Sequence, residues 1–193
     1  MDRDLVRFNA LRNALYHTSR RLTLDRWNRW FNFLVILLGA QAVGKFMLFF
    51  HVDVSEGVVG ALVAAVGAAQ LVFDFGGKAR DHQALQRDYY HLLAEVEERP
   101  EPSEAEIARW WGQMSRIAGD EPPTLRALDS KAYNDAMGAT ELYPPSQRIY
   151  IPWSHRVFGQ IWSYDGYDYK KLFELPKGHR GRRGIQDLAE VAP

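Results

Sequence analysis

Residues 30–50 read WFNFLVILLGAQAVGKFMLFF, and a polar loop, HVDVSE, joins them to residues 57–75, which read GVVGALVAAVGAAQLVFDF. The two apolar segments contain 21 and 19 residues. A helix needs about 20 residues to cross the roughly 30 Å hydrocarbon core of a bilayer. Each segment therefore predicts one transmembrane helix, and together they predict a membrane hairpin over residues 30–75.

The charges that flank the hairpin predict its orientation. Residues 1–29 contain seven arginines, the loop at 51–56 contains no Lys or Arg, and Lys78, Arg80 and Arg87 follow the second segment. Cytoplasmic flanks of membrane proteins carry the excess of Lys and Arg. We therefore expect a multi-pass protein with both termini in the cytoplasm and the loop outside.

Four residues at the start of the first segment are predicted membrane-interface anchors: Arg26, Trp27, Arg29 and Trp30. Indole rings favour the headgroup level, where guanidinium groups meet lipid phosphates. The alternative is that the hairpin is the buried core of a soluble protein, which Lys45 and the alanine content keep open. The clustering of Trp and Arg at one end favours the membrane.

Small residues recur every four positions in the second segment and form two adjacent stripes, which let a neighbouring backbone approach closely. The predicted helix-packing residues are Gly57, Gly60, Ala61, Ala64, Ala65 and Ala68. Such a face favours contact with another helix. We therefore expect a homo-oligomer in the lipid bilayer.

Polar side chains within the apolar segments need an explanation, because polar groups in hydrocarbon are costly. Lys45 either extends outward to the headgroups, or it lines a polar path with Gln41 and Gln70 when several hairpins assemble. These three are the candidate pore-lining residues. Asp74 is expected to end the second helix at the headgroups.

Two stretches outside the hairpin, residues 1–29 and 76–99, predict cytoplasmic helices that pack antiparallel. No Pro or Gly interrupts the chain before Gly39, so the first helix should run unbroken into the membrane. Its amphipathic pattern contains Leu5, Phe8, Leu11, Leu15 and Leu22. The other stretch has a coiled-coil-like seam of His82, Leu85, Tyr89, Leu92 and Val96.

Residues 100–193 predict a further cytoplasmic helical region. Ser103 and Glu106 have the spacing of a capping box, which starts a helix that should end near Ile117. Thr124 can cap a second helix, and Gly138 suits its end.

A third helix in this region is predicted over residues 152–162, with the anchors Trp153 and Trp162 on its apolar side. It is either an interfacial helix at the inner membrane face or a soluble amphipathic helix packed on its neighbours. The basic run at 177–183 favours anionic headgroups or nucleic acid, or is merely solvated. On balance, no direct nucleic-acid partner is expected.

The sequence offers no set of residues for catalysis. It contains no cysteine, which excludes disulfides and thiolate metal sites. It also contains no Gly-rich phosphate loop, metalloprotease helix or Gly-x-Ser-x-Gly motif. We therefore expect a non-enzymatic, all-α integral membrane protein with no catalytic residues, metal site or cofactor.

With these residues identified, the chain resembles the SLATT family of small bacterial and phage-associated membrane proteins. Residues 1–97 carry the resemblance through the Arg-rich stretch with Trp27 and Trp30, the hairpin, and the continuation with Tyr89 and Tyr90. A stretch at 120–138 is similar to one in phage and prophage relatives, through Glu121, Pro122, Pro123, Leu128, Asn134 and Gly138.

The resemblance implies a pore-forming or membrane-perturbing effector of antiphage defence in the bacterial inner membrane. It also implies a trigger from a cytoplasmic sensor or a nucleotide signal made by a partner. The alternative is a membrane-anchored interaction protein, such as a prophage superinfection-exclusion factor, that acts through its cytoplasmic helices.

Overall fold

The computed structural model describes residues 2–40 and 56–176, and it confirms the all-α class for them. Six α-helices occur there: α1 (Arg3–Gly39), α2 (Glu56–Phe73), α3 (Phe75–Glu97), α4 (Glu104–Gly119), α5 (Arg126–Thr140) and α6 (Trp153–Phe158). Two 3-10 turns follow α5 and α6, at Pro145–Gln147 and Leu172–Glu174. One antiparallel bridge joins Ile149 to Lys171.

The described chain forms two compact units. The first, which we call the helical domain, contains residues 2–18 and 84–176, and the second, the arm, contains residues 19–40 and 56–83. Helix α1 is continuous over 37 residues, as the absence of Pro and Gly predicts.

The helical domain is built on the first turns of α1 and the last turns of α3. Arg3 Nε donates to the carbonyl oxygen of Arg99 over 2.8 Å, and Arg7 pairs with Glu97, so the two helices run antiparallel as predicted. The predicted α3 seam is confirmed, since all five of its residues are buried. Helix α4 completes a core of Val6, Ala10, Ala14, Tyr89, Leu92, Val96, Ile107, Trp110 and Met114.

The seam predicted on α1 is wrong in part. Leu5 and Leu22 are 39% and 42% exposed, whereas Ala10 and Ala14 are fully buried. The cause is that α1 has two buried faces in the domain. Its small residues join the core with α3 and α4, while Phe8 packs edge-on against Tyr133 of α5 at 5.2 Å between ring centroids. Small residues at a helix contact shorten the distance between helix axes.

The start of α4 is the predicted capping box. The Ser103 backbone N–H donates to Glu106 Oε2 over 2.8 Å, and the Glu106 N–H donates back to Ser103 Oγ over 3.3 Å. The hydrogen bond from the Ser103 backbone lowers the pKa of Glu106. Glu106 therefore stays ionised in the first turn, where it complements the helix dipole.

Helix α5 begins and ends at other residues than predicted. Thr124 is not its cap: the N-cap residue is Leu125, which makes no side-chain cap hydrogen bond and whose backbone N–H donates to the Tyr16 hydroxyl of α1 over 3.0 Å. Gly138 lies inside the helix. The left-handed residue that ends the helix is Glu141, with φ of 53°.

Helix α6 is shorter than the predicted 152–162 and ends before the buried Gly159. Its two anchors, Trp153 and Trp162, are 75% and 62% exposed. The alternative in which this segment packs its apolar side on its neighbours is therefore wrong within the described chain.

Candidate functional site

The arm contains the described part of the hairpin. Gln70 Nε2 on α2 donates to Asn32 Oδ1 on α1 over 2.7 Å, and Phe75 contacts Trp27 and Phe31. From Gln70 to Phe75 the residue numbers rise while those of their partners on α1 fall, so this part of the chain runs antiparallel to α1.

By length and composition alone, one helical stretch of the described residues is able to cross a membrane, Gly57–Glu97. None of its most apolar part is buried within the protein. The first predicted segment is described only as far as Ala40, and Gln41 and Lys45 lie outside the described residues. A second crossing therefore stays a prediction.

The contact face of α2 is the side that carries Gln70. Val59, Val63 and Val66 are half-buried at spacings of three and four and share that side with Gln70. Asn28, Phe31, Val35 and Leu38 show the same half-buried spacing on α1. The arm therefore packs through medium-sized and large side chains.

The predicted small-residue stripes lie on the opposite side of α2. At 100° per residue, Ala61 is half a turn away from Gln70. All six predicted helix-packing residues are exposed, from Gly57 to Ala68. A Cβ atom added at Gly60 would meet nothing within 4 Å. Among residues 2–40 and 56–176, the stripes are thus not used for packing.

A polar pocket lies where α1, α2 and the start of α3 meet, and we call it the hairpin pocket. Its cavity volume is about 720 Å³. Its polar lining consists of Asn28, Asn32, Gln70, Asp74 and Arg80. Amide and carboxylate oxygens are groups that suit hydrated cations and water. The described residues contain no cluster of three metal-ligating side chains.

Asp74 gives the hairpin pocket its shape. Its backbone is left-handed, with φ of 41°, and separates α2 from α3, so α2 ends at Phe73, two residues before the predicted end at Phe75. Its Oδ1 accepts the Gly77 N–H over 2.9 Å and caps α3. A Cβ at Gly77 would lie 2.1 Å from Asp74 Oδ2, so a larger residue there would push the Asp74 carboxylate out of this cap.

Aromatic side chains of the arm cluster at the same end as the hairpin pocket. Phe75 stacks on Phe73 at 5.6 Å, and Trp30 meets Phe33 edge-on at 5.8 Å. The predicted anchors Arg26, Trp27, Arg29 and Trp30 are all exposed. We call these aromatic side chains the aromatic belt. Sequence reasoning did not assign Phe73 and Phe75 to it, although both lie at the end of the second apolar segment, where such residues are expected.

The helical domain contains a buried polar network that the sequence did not predict. His17 is fully buried, its Nε2 lies 3.2 Å from Glu121 Oε1, and its ring stacks on Tyr89 at 5.7 Å. The Tyr89 hydroxyl also donates to Glu121. Burial, and then the hydrogen bond to Glu121, raises the pKa of Tyr89 well above its ordinary value of 10.

An open cavity of about 300 Å³ lies beside this network. Arg12 and Asp129 face it as an ion pair, with Arg12 Nε 2.9 Å from Asp129 Oδ1. Glu121 and Tyr16 also line it. The cavity therefore offers charged and aromatic groups of the helical domain to a small polar ligand or to a partner side chain.

Replacing Tyr89 with phenylalanine tests this network by pH. The raised pKa means that folding favours the neutral phenol, so its contribution is complete below pH 10 and is lost as the pH rises above that value. We expect Tyr89→Phe to lower the free energy of unfolding by about 0.5–1.5 kcal/mol at neutral pH. The fall in stability above pH 10 should be smaller in this variant than in the wild-type protein. Thermal unfolding from pH 7 to 11 measures both. Tyr90→Phe, at a 38% exposed position, is the control, and an unchanged alkaline profile in Tyr89→Phe would contradict the account.

The structure brings together only part of the predicted site. Gln70 lies in the hairpin pocket and the four N-terminal anchors lie in the arm, whereas Trp153 and Trp162 belong to the helical domain. The chain matches no protein-family model, and no curated protein or solved structure is significantly similar to it.

Proposed function

We propose that the protein is a homo-oligomeric integral membrane protein whose hairpins pack through the small-residue stripes and can enclose an ion path. The observation that carries this proposal is the division of α2 into two faces. One face, with Val63 and Gln70, packs inside the chain, while the small-residue face from Gly57 to Ala68 is exposed. Close helix contact in membranes uses small residues of this kind.

The hairpin pocket supports an ion path at one end of the span. Gln70 and Asn32 place two amide groups beside Asp74 at the level of the aromatic belt. In this proposal Gln41 and Lys45 continue the polar lining through the residues that the structure does not describe. Both termini are cytoplasmic, in keeping with the arginines of residues 1–29.

The resemblance to SLATT proteins suggests a biological function for the proposed ion path. The protein would be an effector in bacterial and phage conflict that permeabilises or perturbs the inner membrane. The helical domain would receive the trigger, from a cytoplasmic sensor or from a nucleotide signal. Its cavity beside Glu121 supports this assignment, because it exposes charged groups to a ligand.

Ion flux in liposomes tests the proposal. We expect the wild-type protein to conduct, and Gln70→Leu and Lys45→Leu to change the flux roughly 3- to 20-fold, which corresponds to the 0.6–1.7 kcal/mol of one polar contact in a membrane. Leu62→Ala, at an exposed apolar position, is the matched control. The absence of conductance in every state of the wild-type protein would end the proposal.

A membrane-anchored interaction protein is the second candidate. The Arg12–Asp129 pair at the open cavity favours it, because paired charges at a cavity suit recognition of a partner. If this candidate is right, Arg12→Ala should abolish the biological effect of the protein in cells, and Gln70→Leu should leave that effect intact. The pore function predicts the opposite for Gln70→Leu. Deletion of residues 100–193 does not separate the two functions, because it also removes Trp110 from the core.

A further inference from the structure

Helix α6 and the turn after it present their apolar side chains to solvent. Five residues of this segment are between 44% and 75% exposed, and we call them the tryptophan face: Trp153, Val157, Phe158, Ile161 and Trp162. Trp153 and Val157 are four residues apart on one helix side, and the Trp162 N–H donates to the Phe158 carbonyl over 3.0 Å. These five exposed apolar side chains thus come from one short segment of the chain.

The opposite, more polar side of the segment is the one that packs on the helical domain. Gly159 is buried, and a Cβ there would lie 3.0 Å from the Ala127 Cβ of α5. His155 Nδ1 lies 2.7 Å from the Tyr169 hydroxyl, and its ring stacks on Tyr164 at 3.7 Å. These contacts fix the segment with its apolar side outward, the reverse of an amphipathic helix in water.

The charge around the tryptophan face indicates what covers it. Residues 151–162 contain no Asp or Glu, and their one Arg, Arg156, is exposed on the same short helix as Trp153. A Trp-rich surface with an exposed Arg and no carboxylate suits anionic lipid, since indole rings favour the headgroup level and guanidinium groups pair with phosphates. The same charge disfavours a basic protein partner.

We propose that the tryptophan face binds the surface of an anionic bilayer, with its side chains inserted at headgroup level. This inference rests on the proposed function, in which the hairpin already places the chain in a membrane. It adds a second, peripheral lipid contact, made by the helical domain. In the proposal, residues 152–162 act as an interfacial segment although only Trp153–Phe158 is helical.

The absence of cysteine allows single labels to test the proposal in the full-length chain. Val157→Cys, carrying an environment-sensitive fluorophore, is reconstituted in liposomes that contain nitroxide lipids, with and without phosphatidylglycerol. We expect quenching several-fold stronger than at Ser115→Cys, an exposed polar position on α4. Arg156→Glu should remove most of the dependence on phosphatidylglycerol. Leu62→Cys, at an exposed position on α2, reports insertion of the span.

The pattern of quenching separates the possible outcomes. Strong quenching at Leu62→Cys with Val157→Cys no more quenched than Ser115→Cys would overturn the lipid contact and leave the span intact. No quenching at either Leu62→Cys or Val157→Cys would overturn the membrane assignment as well. Cysteine cross-linking between copies at Val157→Cys, without quenching, would assign the face to a second copy and also overturn the proposal.

Discussion

Replacing Trp110 with alanine lowers the free energy of unfolding of the helical domain by about 3–5 kcal/mol. Trp110 is fully buried in the core that α1, α3 and α4 share. Its removal loses the transfer free energy of the indole and leaves a cavity that Leu92 and Val96 cannot fill by relaxing. Because domains are stable by only about 5–15 kcal/mol, the loss is large. Thermal unfolding of the detergent-solubilised protein, followed by near-ultraviolet circular dichroism, measures it.

Trp153→Ala is the matched control for this prediction. The same side chain is removed, but Trp153 is 75% exposed, so we expect a change within about 0.5 kcal/mol. Equal losses in the two variants would contradict the placement of Trp110 in the core.

Enlarging two alanines of the small-residue face weakens self-association. Ala61→Leu combined with Ala65→Leu adds bulk where a neighbouring backbone is proposed to approach. Overpacking costs about 1–3 kcal/mol, so the dissociation constant should rise roughly 5- to 150-fold. Sedimentation equilibrium in detergent measures the change.

Leu62→Phe provides the control for the alanine variants. Leu62 is 47% exposed and lies on α2 to one side of the small-residue face, so added bulk there should leave the oligomer intact. If Leu62→Phe weakened association as much as the double variant, the small-residue face would not be the contact surface.

Local patterns predicted much of the fold. The α3 seam from His82 to Val96 and the Ser103–Glu106 capping box both appear as predicted, because each depends on residues that are close in sequence. The antiparallel packing of α1 and α3 also followed from their two apolar patterns.

Contacts between distant residues could not be predicted in this way. At the start of α5 the Leu125 N–H donates to the Tyr16 hydroxyl, 109 residues away, and the buried network joins His17 to Glu121. In α1, Ala10 and Ala14 are core residues only because α3 and α4 lie against them.

Sequence reasoning singled out Gln70 and Asp74 separately and did not join them in a pocket. The other polar groups of the hairpin pocket come from α1 and α3, and the left-handed Asp74 shapes it through the contact with Gly77. A left-handed backbone at Asp74 could not be predicted from the pattern of apolar residues. An aspartate at this position is equally consistent with the plain end of a transmembrane segment.

We propose that the hairpin crosses the membrane twice and leaves the helical domain in the cytoplasm. Cysteine accessibility in intact cells tests this topology, with Asp53→Cys in the loop and Ser115→Cys in the domain, in a chain without other cysteines. We expect a membrane-impermeant maleimide to label Asp53→Cys in intact cells and Ser115→Cys only after permeabilisation. Equal labelling of the two positions before permeabilisation would contradict it.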